Sequence, residues 1–313
     1  MFVLICGALT YDTVMVINEK LKNYISATAP LPTALDIHFQ VPDLRRQFGG
    51  CAGNIAYNLK ILGVEPLIMA TVGTDFNNYA EWLDKQGIRR DYITQVDHCV
   101  TAQKFTTIDM EDNQITAFHA GAMNFSYLNH IQRAKNVTLG VVCGDSAEGM
   151  LLHTQQFAEA GIPFVFAPGN SIQQFDGDEL MRFTEQANWI MVNKKVWTIM
   201  QQRMKLTPEQ VAMRVQALAI SSEKGSLIYT QGTRYQIPPA QVRAMNDWSG
   251  ADEAFCAGLL YGLLKDIDWE TTGRIANLMI AIKIEHHGSQ SHNFTLEQFK
   301  LRFRKHFGYN LLI

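Results

Sequence analysis

NDWSGADEAFCAGLLYG, residues 246–262, runs from a polar turn with a glycine straight into a helical pattern of small and apolar residues. Ser249 stands at the N-cap position of that pattern, and Asp252, three residues on, has capping-box spacing. A helix start leaves backbone N–H groups free and carries the positive end of the helix dipole, which together make an anion site. Glu253 falls in the same first turn, so a carboxylate is held beside the place where a phosphate would sit. Donors for an anion and a base for an attacking hydroxyl are what phosphoryl transfer requires. Acidic residues in a first helical turn also complement the dipole, so a plain capped, buried helix stays open on this stretch alone.

The whole chain narrows the choice. Its 313 residues suffice for a large α/β core, and 47% hydrophobic with 18% charged residues is the balance of a globular protein. A formal charge of −3 provides no basic surplus to neutralise nucleic-acid phosphates or an anionic membrane, so neither is an expected partner. Five scattered cysteines, odd in number and mostly within apolar runs, fit buried thiols in a reducing cytoplasm better than a disulfide framework. The opening FVLIC lacks a basic flank and breaks at Gly7, too short for a leader, and no apolar run reaches membrane-spanning length. A cytoplasmic protein with a small-molecule partner is expected.

FVLICGAL at residues 2–9, PLIMATVG at 66–73, TLGVVCG at 138–144 and IPFVFAPG at 162–169 are apolar without alternation. Such runs are strands of a sheet covered on both faces. WIMVN, ALAIS and SLIYT continue the series, with helical patterns between the earlier members. Repeated βα units of this spacing predict an α/β fold with a doubly wound, mostly parallel sheet. Asp12 follows the first strand, where open sheets bind ligands, although a turn residue is an equal reading. Residues 100–118 alternate around an EDNQ turn and predict a hairpin. With the irregular 13–45 stretch, which holds Pro30 and Pro32, it makes a small β lid spanning about 13–45 and 98–122 on a single domain, 1–313.

FGGCAGNIAYNLKILG supplies Gly49, Gly50 and Gly53, which let backbone approach a ligand, and Asn54, read as the start of a helix. It is not the G-x-G-x-x-G dinucleotide turn, which argues against a Rossmann dehydrogenase. His286, His287 and His292 in EHHGSQSH match no familiar metal-ligand spacing, and no protein metal site is expected from them.

CGALTYD, FGGCAGNIAYNL, NQITAFHAGAM and DWSGADEAF followed by CAGLLYG together resemble the ribokinase-like (PfkB) family of carbohydrate and nucleoside kinases. The resemblance covers nearly the whole chain and is greatest to bacterial adenosine and nucleoside kinases. It implies that Asp12 holds ribose hydroxyls, and that Gly49, Gly50 and Asn54 contact the sugar. It further implies that Gln103 and Phe118 close over sugar and base from the hairpin. On the donor side it implies ATP and Mg²⁺, with Gly250, Ala251 and Asp252 in the anion-hole turn and Glu253 as the base. Asn193, Ser222 and Gly225 then fall beside the donor phosphates, and His287 and Gly288 on the adenine side.

The donor side also departs from the family pattern. The anion-hole motif usually reads G-A-G-D, but here Asp252 takes the second Gly position and Glu253 the Asp position. The N-x-x-E run reads Asn193, Lys194, Lys195, Val196, without the carboxylate that organises Mg²⁺. The turn near the ATP phosphates reads ISSEKGSL, and Ala167 stands where related nucleoside kinases tend to be acidic. A like charge roughly 4 Å from phosphate costs about 1 kcal/mol in water-like surroundings and about 4 at an effective dielectric near 20. That cost is avoided if Asp252 points outward as the capping partner of Ser249. Three readings stay open: an ATP-dependent nucleoside kinase, a non-catalytic nucleoside or sugar binder, and a kinase of altered donor or sugar specificity, in each case monomeric or homodimeric.

Overall fold

The computed structural model describes residues 2–25 and 37–312. Pro30 and Pro32, part of the expected lid, lie outside the described residues. The larger sheet contains β1 (Phe2–Cys6), β4 (Pro66–Val72), β5 (Arg89–Gln95), β8 (Val137–Cys143), β9 (Phe164–Ala167), β10 (Trp189–Asn193), β11 (Ala217–Ser222), β12 (Gly225–Thr230) and β13 (Thr233–Ile237). Its nine strands run in the order β13-β12-β11-β10-β9-β8-β1-β4-β5. Every pairing from β5 to β11 is parallel, and β12 and β13 add an antiparallel edge. The fold is α/β with a mostly parallel sheet, as the strand pattern predicts.

Burial explains the strand sequences. β1 sends Val3 and Ile5 into one core and Leu4 and Cys6 into the other, so every position is apolar. On the first face lie α2 (Cys51–Ile61), α3 (Asn77–Lys85), α8 (Ala251–Leu264) and α9 (Trp269–Ile284). On the second lie α4 (Ala147–Glu159), α5 (Gly177–Gln186), α6 (Lys194–Met204) and α7 (Pro208–Ala212). α10 (Leu296–Phe307) packs Phe299 and Phe303 against the outer side of α9. The small residues of CAGLLYG let α8 and α9 approach closely. A Cβ at Gly258 would lie 2.5 Å from Ala276 Cα, and one at Gly262 would lie 2.3 Å from Thr272 Oγ1.

Strand order reverses between β1 and β8, because β4 and β5 extend to one side and β8 to β13 to the other. The crevice beyond the strand carboxyl ends at such a reversal is where open α/β sheets hold ligands. Over it lies a second, four-stranded sheet in the order β3-β2-β6-β7: β2 (Thr10–Val16), β3 (Asp43–Gly49), β6 (Ala102–Ile108) and β7 (Gln114–His119). A short α1 (Leu21–Ile25) follows β2, with the Leu21 N–H donating to Asp109 Oδ2 at 2.9 Å.

Two sequence expectations are corrected, and one strand goes unread in the sequence. The first strand stops at Cys6, so Asp12 is not at its end but inside lid strand β2. α2 starts at Cys51 behind Gly50, not at Asn54, because Gly50 at φ +89° makes the turn into it. β5 has no apolar signature because it is an edge strand with exposed Arg89, Arg90 and Asp91.

Candidate active site

Backbone pairing sets the first wall of the site. Asp12 pairs across β2 with Gln47 of β3 on one side and Lys104 of β6 on the other, and Lys104 pairs with Phe118 of β7. Directly paired residues share a sheet face, so Gln47, Asp12, Lys104 and Phe118 form one row. Asp12 is buried, accepts from Thr10 Oγ1 at 2.7 Å, and is ion-paired to Lys104. Burial acts to lower the Lys104 pKa, but Asp12, helped by Glu253 and Cys51, outweighs it and holds the ammonium above its ordinary value.

Gly49 and Gly50 are fixed by what surrounds them. A Cβ at Gly49 would lie 2.8 Å from all three carboxyl atoms of Asp12, and one at Gly50 would lie 2.4 Å from the Ala8 carbonyl oxygen. Asn54 Oδ1 accepts from Gln290 Nε2 at 3.0 Å. The same Gln290 nitrogen donates to the Tyr79 hydroxyl at 2.7 Å, and Gln290 Oε1 accepts from Trp82 Nε1 at 2.9 Å. This buried network holds the Asn54 carboxamide in one orientation.

The turn into α8 is organised by Asp247, not Ser249. Asp247 Oδ1 accepts the Ser249 N–H at 2.8 Å, and Oδ2 accepts the Gly288 N–H at 2.7 Å. Gly250 then starts α8 at φ +79°, with no side-chain cap, and a Cβ there would lie 2.8 Å from Ser289 Cβ. The expected Ser249–Asp252 capping box is therefore absent. Asp252 does not point outward as its partner either. It turns into the cleft, where its carboxylate accepts from Asn193 Nδ2 at 2.5 Å and from Ser221 Oγ at 3.5 Å. Crowding by protein raises the Asp252 pKa against those two donors. Glu253 behind it is raised by burial first and by the Asp252 charge second, with Cys51 and Lys104 opposing. A carboxylate in the first turn of a helix whose pKa is raised by its surroundings is arranged to accept a proton.

Two open clefts adjoin this turn. One, of about 630 Å³, is lined by Asn193, Lys194, Lys195, Ser221, Lys224 and Asp252 among others. Asn193 caps α6 by accepting the Val196 N–H at 2.8 Å, so that helix start also faces the cleft region. The other, of about 400 Å³, is largely apolar and runs between Gly225, Met245, Trp248, Asn277 and Ala281. Ser222 and Gly225 form the β11–β12 turn between them, Ser222 Oγ donating to the Gly225 carbonyl at 3.0 Å.

The structure thus brings Asp12, Phe118, Gly49, Gly50 and Asn54 to one wall, and Gly250 through Glu253 to the adjoining turn. Asn193, Ser222 and Gly225 gather beyond that turn. Gln103 is not with the first group: it lies one residue off Lys104, on the opposite sheet face, and donates to Asp75 Oδ2 at 3.3 Å. His287 and Gly288 lie against the lid strand β3, His287 Nδ1 being 3.0 Å from Arg45 Nη1 and Gly288 facing Gln47. Lys104, Gln290 and Asp247 were missed in the sequence. Alternation in KFTTI could have put Lys104 on the Asp12 face, but no local signal marks the others.

Comparison with known proteins gives this arrangement relatives. The family model described as pfkB family carbohydrate kinase matches residues 12–295. A nucleoside kinase from Burkholderia thailandensis, solved in complex with inosine, is 39% identical with a TM-score of 0.91, covering 98% of this chain and 99% of that one. The same relative in complex with ADP-inosine gives a TM-score of 0.88 over 98% and 97% of the two chains. A nucleoside kinase from Methanocaldococcus jannaschii is 26% identical over 270 residues, 85% of this chain and 89% of that protein.

Proposed function

The chain belongs to the pfkB family of carbohydrate kinases, and from that premise we propose that it is an ATP-dependent nucleoside kinase. It would transfer the γ-phosphoryl group to the primary sugar hydroxyl of a purine nucleoside. The observation that carries this reading is Glu253, in the first turn of α8 behind the Gly250 turn, with Cys51 and Lys104 favouring its ionised form.

In this reading Asp12 accepts hydrogen bonds from ribose hydroxyls. Asn54, its Oδ1 already held by Gln290, presents its Nδ2 as a donor to the sugar. Phe118, half-exposed on the same row, stacks on the flat base. Glu253 takes the proton of the primary hydroxyl as that oxygen bonds to the γ-phosphorus. The bond to the bridging oxygen breaks, and ADP leaves with that electron pair. The α8 N–H groups stabilise the charge on the transferring group. Lys194, Lys195 and Lys224 line the cleft proposed for the donor phosphates, and the apolar cleft by Trp248 takes the adenine. His287 and Gly288, packed on β3, would follow lid position instead of touching adenine directly.

The residues fit Mg²⁺. Val196 supplies no ligand, and among the described residues no cluster of three acidic, His or Cys side chains could cage a metal. Mg²⁺ is nevertheless held commonly by one or two carboxylates together with water and phosphate oxygens. The Asp252 carboxylate, turned into the cleft proposed for the phosphates beside Asn193 and Ser221, would be such a ligand. When bound there, Mg²⁺ would neutralise phosphate charge and remove the repulsion that Asp252 otherwise imposes.

The test is ADP release with MgATP across inosine, adenosine, guanosine, ribose and fructose, beside calorimetric binding of each. Turnover on nucleosides, with purines leading, is expected. Nucleoside binding without nucleotide binding would instead identify a non-catalytic binder and overturn the proposal.

A further inference from the structure

Lys283, in the last turn of α9, has no exposed surface. Wholly buried lysines are rare, because the charge must be compensated inside the protein. Here the ammonium donates to the Asp247 carbonyl at 2.7 Å and to the His286 carbonyl at 3.2 Å, and lies 4.0 Å from Asp247 Oδ2. Of its three donors two are taken by these carbonyls, while the Asp247 carboxylate at 4.0 Å compensates the charge as an ion-pair partner. The position at the carboxyl end of α9 favours a cation as well.

The acceptors show what the charge is attached to. The carboxylate of Asp247 holds the N–H groups of Ser249 and Gly288, and the Asn246 N–H donates to the Ile284 carbonyl at 2.8 Å. The ammonium therefore joins these bonds in tying the turn that precedes α8 to the turn that follows α9, and is the charged member of the set. Nothing in the mechanism above uses it.

We propose that Lys283 is the positioning residue of the anion turn, a fixed internal cation that holds residues 247–250 in shape and adds positive charge beneath the transferring phosphate. The proposal rests on the kinase reading.

The charged and titratable groups around it are Asp247, Glu253 of α8, His286 and His292. Burial lowers the Lys283 pKa to about 8, against the pull of Asp247 and Glu253. His292 is held neutral, its pKa lowered to about 3 chiefly by burial, so it does not titrate in the same range. As pH rises through about 8 the ammonium loses a donor and its charge, and turnover should fall. Stability should move the other way. Between about 8 and the ordinary 10.5 the unfolded chain keeps this proton and the folded chain does not, so the contribution to stability rises with pH. A lysine that merely held the fold together would not separate the two trends.

The experiment compares the parent chain with Lys283→Met by thermal melting, by kcat and KM for inosine and ATP, and by binding of ADP and of its non-hydrolysable triphosphate analogue. The expected result is a folded variant with kcat down about 100-fold, a size typical of a lost transition-state donor. KM for inosine should stay within about threefold, and the preference for triphosphate over diphosphate should disappear. Ammonium or methylammonium should restore part of the rate to Lys283→Ala. A folded Lys283→Met with kcat within about threefold of the parent, or a loss confined to the inosine KM, would overturn the proposal. Should neither variant fold, the kcat–pH profile of the parent decides: a fall centred near 8 supports it, and a flat profile to about pH 9.5 overturns it. A parent that binds nucleotide without turnover sinks the kinase reading alone, with the triphosphate preference still testing Lys283. A parent that binds no nucleotide sinks both.

Discussion

On the acceptor side Gln47, Asp12, Lys104 and Phe118 stand in register across the small sheet, placed by backbone pairing. On the donor side Asp252, Asn193 and Ser221 meet through side-chain hydrogen bonds from three different elements. The first arrangement leaves little freedom, since shifting the strand by one residue would turn the whole row to the other face. The second can be rebuilt by exchanging side chains. In the proposed kinase the donor side is where the sequence departs from the family pattern, and Asp252, hydrogen-bonded to Asn193, would stand in for the carboxylate missing at Val196.

The comparison can be broken first at the point where the two sides meet. Glu253→Gln should lower kcat about 1000-fold, within the range for losing a general base. In the parent, kcat/KM should fall as pH drops through the raised Glu253 pKa, because the base must be ionised. Stability should respond oppositely. The folded chain holds this proton more tightly than the unfolded one, so the group's contribution falls as pH rises from the ordinary carboxylate range through the raised value. Above that window Glu253→Gln should melt no lower than the parent, which differential scanning calorimetry would read.

The rigid side is tested by Gly49→Ala. Its Cβ would lie 2.8 Å from the Asp12 carboxyl group, and a displacement of about 1 Å there should cost on the order of 100-fold in kcat/KM for nucleoside. KM for ATP should be unchanged. The adaptable side is tested by Asp252→Asn, for which steady-state titration should show about a tenfold higher Mg²⁺ requirement and an unaltered nucleoside affinity, the scale of losing one hydrogen-bonded ligand. The smallest effect should come from Gln103→Ala on the far face of the lid. Nucleoside KM should change by less than about twofold, whereas Phe118→Ala should raise it about tenfold through lost base stacking.

Much of the fold could be read because its parallel strands are buried on both faces and therefore apolar without interruption, as in β1 and β4. β5 escaped because an edge strand carries charge where central strands carry Val and Ile. The glycines of the two turns were legible because their backbone positions exclude side chains, as the contacts at Gly49, Gly50 and Gly250 show. Asp252 was not, since its direction depends on Asn193, 59 positions away in the chain. Ser249 misled for a related reason: Asp247 competes for the same N–H and wins, because it also bonds Gly288. Lys283 gives no sign of burial in its local sequence, which reads as the polar end of a helix.

The central claim is that Glu253 draws a proton from a nucleoside hydroxyl while the α8 turn holds the phosphate. It is tested most directly by ADP formation with inosine and MgATP, measured side by side for the parent chain and Glu253→Gln. The account predicts parent turnover in the usual enzyme range of about 1 to 1000 per second, and a variant that still binds inosine but turns over about 1000-fold more slowly. Equal rates for the two chains, or inosine binding by the parent without any ADP, would contradict it.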